Sequence, residues 1–484
     1  MLFHRHRRRF GRKRRRNILP LLLAAFGCVL LAGAAISGLY AWRSHSASRP
    51  EQNTNPILSV DPDTEPDNFD IEDAIVGEDT LSPAADTLLI DSPAVETIVA
   101  ARRLAAGYDY DAALDLLRSV DGYEDDSVLM QELAGYEATR EALIPVTVTE
   151  VTHVFFHSLI WDPAKAFDGE ADQDGYNQVM TTVDEFRKII QSMYDKGYVL
   201  VRLHDLAYET VDENGNSVMK PGTILLPEGK IPFVMSQDDL CYYPYMNGDG
   251  FASRIVVGED GKPTCEMTND DGSITTGSYD LVPILEDFIQ DHPDFSYRGA
   301  RAVLAFTGYE GILGYRTSPS AYANSDTLEQ DRQAAAEVAQ CLRDHGWELA
   351  SHSWGHLNLG EVEWERFLSD TDKWESEVET LIGDTDVILF PFGSDIGDWH
   401  PYSMDNDRFA CLHAAGFRYF CNVDSSRYWV QIGDDWFRQG RRNLDGYRLW
   451  QDIMTEDVSA RRLEDLFHAE DIFDSARPTP VPDM

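Results

Sequence analysis

The chain has 484 residues, 43% of them hydrophobic, with 10 Trp, 21 Tyr and 22 Phe, which exceeds one ordinary domain and supports a large core. A formal charge of −43 argues against nucleic acid as a partner, because phosphate backbones are held by clustered cations. Six cysteines with no C-x-x-C pair argue against both a disulfide framework and a cysteine zinc site, leaving free thiols.

Residues 1–17 carry nine of the 41 Lys and Arg residues and no acid, and form a basic segment. Residues 18–42 are apolar and uncharged, long enough to cross a hydrocarbon layer of roughly 30 Å. The arginines on their N-terminal side (Arg5, Arg7, Arg8, Arg9, Arg12, Arg14, Arg15, Arg16) place that end in the cytoplasm. The expectation is a single-pass anchor in the cell membrane with everything after it extracytoplasmic. A cleavable signal peptide has a shorter apolar core, roughly 7–15 residues. Residues 43–92, rich in Pro, Asp, Glu, Ser and Thr, read as an acidic disordered linker. Residues 93–145 then show helical periodicity and form a small helical module. Its string LAAGYDYDAALDLL resembles a helix-turn-helix unit of the tetratricopeptide type, too short for a binding groove and better suited to a spacer.

From 146 to 474 strand-like and helical stretches alternate. The runs 151–159, 198–203, 231–235, 302–306, 347–350, 387–390 and 417–422 are short and apolar, as buried parallel strands are. Thr182 and Glu185 form a capping box for a helix whose Phe186, Ile189, Ile190 and Met193 share one face. This rhythm predicts an α/β fold, and the number of strands favours a barrel over an open sheet. Residues 247–279 interrupt it with a polar stretch that reads as a hairpin insertion near the site, and 475–484 form a Pro-rich tail.

Ser236-Gln237-Asp238-Asp239 closes the run 231–235, and His352-Ser353-Trp354-Gly355-His356 follows the run 347–350. Both lie at C-terminal strand ends, where α/β folds gather their active sites. One carboxylate and two histidines suit a hydrolytic metal that keeps a position open for water, with a bound-water pKa near roughly 7. The second aspartate is left to accept a proton. Adjacent aspartates recur at Asp125-Asp126, Asp270-Asp271 and Asp434-Asp435, so the pair gains meaning only beside the histidines.

With these motifs, residues 146–472 resemble the polysaccharide deacetylase, or NodB-homology, family of carbohydrate esterases, whose fold is a distorted (β/α) barrel. The resemblance implies Asp238 as general base, Asp239, His352 and His356 as metal ligands, and Ser353 as a residue that steadies the loop. The family's third motif appears as Leu389-Phe390-Pro391-Phe392-Gly393, without its arginine, and implies the Phe392 N–H as an oxyanion donor. The fourth is partly met by Asp424-Ser425-Ser426-Arg427-Tyr428-Trp429. The family's arginine–aspartate tether is thus replaced at both ends, by Leu389 and Arg427, and Arg427 is expected to orient Asp238 from the other side. The fifth motif, Leu-x-His, has no histidine near Leu449-Trp450-Gln451-Asp452, so the group that protonates the leaving amine is open, with Asp452, His157 and His400 as candidates.

Trp354, Trp399, Tyr428, Trp429, Trp436 and Trp450 fall in or near these loops and offer faces on which sugars stack. The resemblance implies a metal-dependent deacetylase acting on an acetylated amino-sugar polysaccharide. The divalent metal is Zn²⁺ first, with Co²⁺, Ni²⁺ or Fe²⁺ suiting the same donors. The competing function is a carbohydrate-binding pseudoenzyme of the same fold, and a third is a surface scaffold working through residues 93–143.

Overall fold

Short runs of Val, Ile, Leu and Phe buried on both faces need neighbours on each edge and cover on each side, a condition a closed parallel sheet wrapped in helices meets. Seven strands do this: β1 (Thr152–Phe156), β2 (Ile231–Gln237), β3 (Val303–Phe306), β4 (Glu348–Ser351), β5 (Val387–Leu389), β6 (Tyr419–Val423) and β7 (Phe437–Asn443). Each pairs in parallel with the next, and β7 returns to β1 through Arg442↔Val154 and Asn443↔Phe155, closing a (β/α) barrel. The computed structural model describes residues 94–170 and 172–483. The basic segment, the apolar stretch 18–42 and the acidic linker lie outside the described residues, among which no helix is long and apolar enough to cross a membrane.

Alternation along each strand sorts two cores. Val303 and Ala305 of β3 point the same way as Ala350, Leu389, Cys421 and Phe437. Leu304 and Phe306 instead join the shell under the surrounding helices, with Phe186, Ile189, Leu285, Val338 and Leu342. Burying each such side chain stabilises the fold by roughly 1.5–3 kcal/mol. The capping box forms as expected: Thr182 N–H donates to Glu185 Oε2 at 2.9 Å and Glu185 N–H to Thr182 Oγ1 at 3.2 Å.

Two strands differ from expectation. The run 198–203 yields Tyr198–Leu200, outside the ring and paired with the lower half of β2. The upper half of β2 pairs with β3 on that same side, so the short strand tucks in beneath β3. The seventh barrel position goes to β7, whose sequence Phe-Arg-Gln-Gly-Arg-Arg-Asn has no apolar run after Phe437 yet is buried at all seven residues. Its arginines are buried because each meets a carboxylate: Arg438 meets Asp395 at 2.7 Å, Arg441 meets Asp238 at 2.6 Å and Arg442 meets Asp465 at 2.7 Å.

The insertion is a three-stranded antiparallel sheet, Arg254–Val257, Pro263–Thr268 and Ile274–Gly277. The helical module comprises Val95–Ala106, Tyr110–Arg118 and Ser127–Ala142 around Ile98, Leu114, Leu117, Leu129 and Leu133. No second full repeat follows it among the described residues, and the tetratricopeptide likeness is not supported. It docks through Tyr108, whose ring stacks on Tyr297 at 6.3 Å and whose hydroxyl donates to the Asp294 carbonyl at 2.9 Å. The tail is also held: Arg477 Nε meets Glu185 Oε1 at 2.6 Å, both fully buried. Cys241, Cys265, Cys341, Cys411 and Cys421 are free thiols.

Candidate active site

β2 and β4, the two strands that flank β3, end at one mouth of the barrel. The chain beyond them stays pinned to its neighbours, with Asp238 N–H donating to Phe156 O and His352 N–H to Phe306 O, both at 2.8 Å. There the backbone turns sharply: Asp239, Ser353, His356 and Phe392 hold φ of 57°, 54°, 49° and 57°. Left-handed backbone costs a non-glycine residue roughly 1–3 kcal/mol and clusters where function fixes geometry.

Those turns bring Asp239, His352 and His356 together, with one ligand atom from each inside 4.8 Å of the others. His356 Nε2 lies 3.5 Å from Asp239 Oδ2. Two ligands each about 2.1 Å from a tetrahedral ion would stand roughly 3.4 Å apart, so the donors fit a divalent metal of the Zn²⁺ type. His352 Nδ1 sits 2.7 Å from the Leu389 carbonyl, which assigns the proton to Nδ1 and leaves the Nε2 lone pair for a metal. Burial lowers the His352 pKa against the opposing pull of Asp238 and Asp239, favouring the neutral, ligating imidazole. Tyr243 donates its hydroxyl to Asp239 Oδ1 at 2.8 Å and fixes that carboxylate from behind.

Asp238 is buried, and its Oδ1 accepts from Arg441 Nη1 at 2.6 Å. Burial alone would raise its pKa, but the Arg441 charge holds the carboxyl down at about 2. Its other oxygen, Oδ2, stands 3.8 Å from His352 Nε2. Arg427 does not orient Asp238 as expected: it sits on the surface, half exposed, with Nε 3.1 Å from Asp465 Oδ2. The orienting cation is Arg441 of β7. The run of arginines in β7 was its only signal in the sequence.

The remaining predicted residues divide. Ser353 Oγ accepts from Leu357 N–H at 2.9 Å and tightens the histidine loop. Asp370, which no motif marks, takes the N–H groups of Trp354 and Gly355 on its carboxylate at 2.9 and 2.7 Å. Trp354 packs away from the cleft under Lys373, with its indole N–H on Glu377 at 3.0 Å. Pro391 is buried, while Phe392 is 70% exposed with its ring edge-on to His356 at 4.6 Å. At Gly393, φ +62°, a Cβ would come within 2.3 Å of Val423, so the turn requires glycine. Asp424 lines the cleft. Tyr428 lies under Arg427 at 5.0 Å, and Trp429 packs on Trp399 at 5.1 Å and on Arg438.

These groups open into a cleft of about 610 Å³ that also includes Phe155, His157, Tyr245, Met246, Asp445 and Arg448. Of the three candidates for the missing acid, His157 faces the cleft, with Nδ1 3.1 Å from the Val179 carbonyl. Asp452 is spent on the backbone N–H groups of Arg462 and Leu463 at 3.1 and 2.7 Å. His400 is exposed on an outer loop. The buried acid at the end of β7 is Asp445, which accepts from Arg448 N–H and Asn443 Nδ2, both at 2.7 Å.

No protein-family model and no curated protein matches the chain. Among solved structures, the Streptococcus pyogenes deacetylase PplD in complex with acetate is similar over 64% of this chain and 98% of that one, with 11% identity and a TM-score of 0.32. A likeness that distant carries no weight for function, which rests on the side chains above.

Proposed function

We propose that this protein is a metal-dependent hydrolase that removes acetyl groups from an N-acetylated amino-sugar polysaccharide. The observation that carries it is the pairing, in one cleft, of the Asp239, His352 and His356 donors with the separate Asp238–Arg441 pair. Asp239, His352 and His356 would hold a divalent metal, which would supply a lowered water pKa and a Lewis acid for the acetyl carbonyl. Arg441 occupies Oδ1 of Asp238, so Oδ2 is the oxygen that takes the proton of the attacking water. The Phe392 N–H is assigned to the developing oxyanion. His157, its Nδ1–H donated to Val179 O, acts as the imidazolium, whose Nε2 proton passes to the departing sugar amine and leaves the ring neutral. The water oxygen thereby bonds the carbonyl carbon, the C–N bond breaks, and acetate and a free amine leave.

The fold of the distorted NodB type, Zn²⁺ as the resident ion, and an anchor in residues 18–42 that holds the barrel outside the cell belong to the same proposal. Its test is acetate release from N-acetylglucosamine oligomers by the full chain loaded with Zn²⁺. His352→Ala should lower the rate by more than about 100-fold, the upper end of what changing a group behind a ligand gives. Unchanged acetate release in that variant refutes the assignment. Oligomer binding without acetate release by the metal-loaded wild-type chain would favour the binding pseudoenzyme.

A further inference from the structure

The polar insertion, which the chemistry above leaves unused, builds a second hollow of about 450 Å³ beside the cleft. Tyr245 and Met246 line the cleft, and the next residues, Asn247 and Gly248, line the hollow. The turn Pro244–Met246 thus leads directly from the residues that line the cleft to those that line the hollow.

The floor of the hollow is rigid. Trp161 and Asp162 both donate their N–H groups to the Gly250 carbonyl, at 2.9 and 3.0 Å. Gly250 has φ +85°, and a Cβ there would fall 2.4 Å from the Asp162 carbonyl oxygen, so only glycine lets the root of the insertion approach this closely. The Trp161 indole is 40% exposed and is braced edge-on by Tyr279 at 4.8 Å. A large aromatic ring that lines a hollow and stays partly open to solvent offers a surface for stacking.

The rim around that platform is polar: Asp162, Asn247 and Asn269, with Lys165 neutralised by Asp270. One carboxylate charge is left over, which disfavours phosphorylated or carboxylated ligands. A pyranose matches the set, because it presents an apolar C–H face to an aromatic ring and an equatorial rim of hydroxyls to amides and a carboxylate.

We infer that this hollow is a subsite for a second sugar unit of the same glycan whose acetylated unit occupies the cleft, so that the enzyme selects long chains over short ones. The inference rests on the proposal that the cleft takes an amino-sugar polymer. Its test uses the full chain, with N-acetylglucosamine disaccharide and hexasaccharide as probes, and reads both the Kd and the acetate released. Trp161→Ala should weaken hexasaccharide binding about tenfold and leave the disaccharide unchanged, whereas Trp161→Phe recovers most of the loss. Asn247→Ala, at an exposed position, should weaken the hexasaccharide less. If wild type prefers the hexasaccharide and Trp161→Ala and Asn247→Ala bind it equally well, the subsite is refuted even where acetate release persists. If Trp161-dependent binding is seen without any acetate release, the subsite stands and the hydrolase proposal falls.

Discussion

β4 carries a histidine–carboxylate cluster at each end, and the two behave oppositely. At its N-terminal end, Glu348 meets His204 Nδ1, and Asp386, just before β5, lies 3.0 Å from His204 Nε2. Burial alone would lower the His204 pKa, but these two carboxylates raise it to about 10, so the ring is a charged bridge. At the C-terminal end, His352 spends one nitrogen on a neutral carbonyl, and Arg441 rather than a histidine occupies the nearby carboxylate. That imidazole stays neutral with a free lone pair. The same residue types make either a clamp or a ligand, depending on whether the carboxylates are left to the imidazole or taken by another cation.

Breaking the arginine's role should have the largest effect. Arg441→Ala leaves a buried Asp238 without its cation, and removing one partner of such a pair costs about 3–5 kcal/mol. Denaturant midpoints should fall accordingly, and acetate release should drop with them. Stability close to wild type would mean that His352 had taken the carboxylate and that the two ends of β4 differ less than the geometry indicates. Next in size, His356→Ala should abolish stoichiometric Zn²⁺ and lower acetate release by more than about 100-fold. Elemental analysis of the dialysed protein reads the first effect. Full metal retention would remove His356 from the ligand set.

The contrast between the two ends also marks what the sequence discloses. Asp238, Asp239, His352 and His356 were legible because each follows an apolar strand, so position and chemistry coincide in a few consecutive letters. The alternation of strands and helices was legible for the same reason. β7 was not, because Arg438, Arg441 and Arg442 become buriable only through Asp395, Asp238 and Asp465, none of them near in sequence. Without β7 the partner of Asp238 is invisible in the sequence, which points instead to Arg427, an exposed residue that pairs with Asp465. Tyr198–Leu200 has the apolar content of a barrel strand, and that content does not say which half of β2 a strand will pair with. The clamp at His204 was invisible for the reason β7 was: its acids are Glu348 and Asp386, far along the chain.

Two smaller effects sharpen the comparison. Tyr243→Phe removes the hydroxyl behind Asp239 while keeping the ring, and should weaken Zn²⁺ binding about 10- to 100-fold without unfolding the protein. Competition with a chromogenic chelator would read this, and unchanged affinity would show that Asp239 needs no support from behind.

His204→Asn should leave acetate release intact and cost roughly 1 kcal/mol, a modest figure because the ring is more than one-third open to solvent and its charges are screened. The sign with pH is fixed by the raised pKa. The folded value is about 10, against roughly 6.5 in the unfolded chain. The bridge's contribution is therefore fully present below the unfolded value and is lost as pH rises through the folded one. Urea midpoints of wild type and His204→Asn should be furthest apart at mildly acidic pH and converge in alkaline buffer. A gap that stays constant, or widens, as pH rises would mean that His204 is neutral like His352, and β4 would then carry two ligand-type histidines instead of one ligand and one clamp.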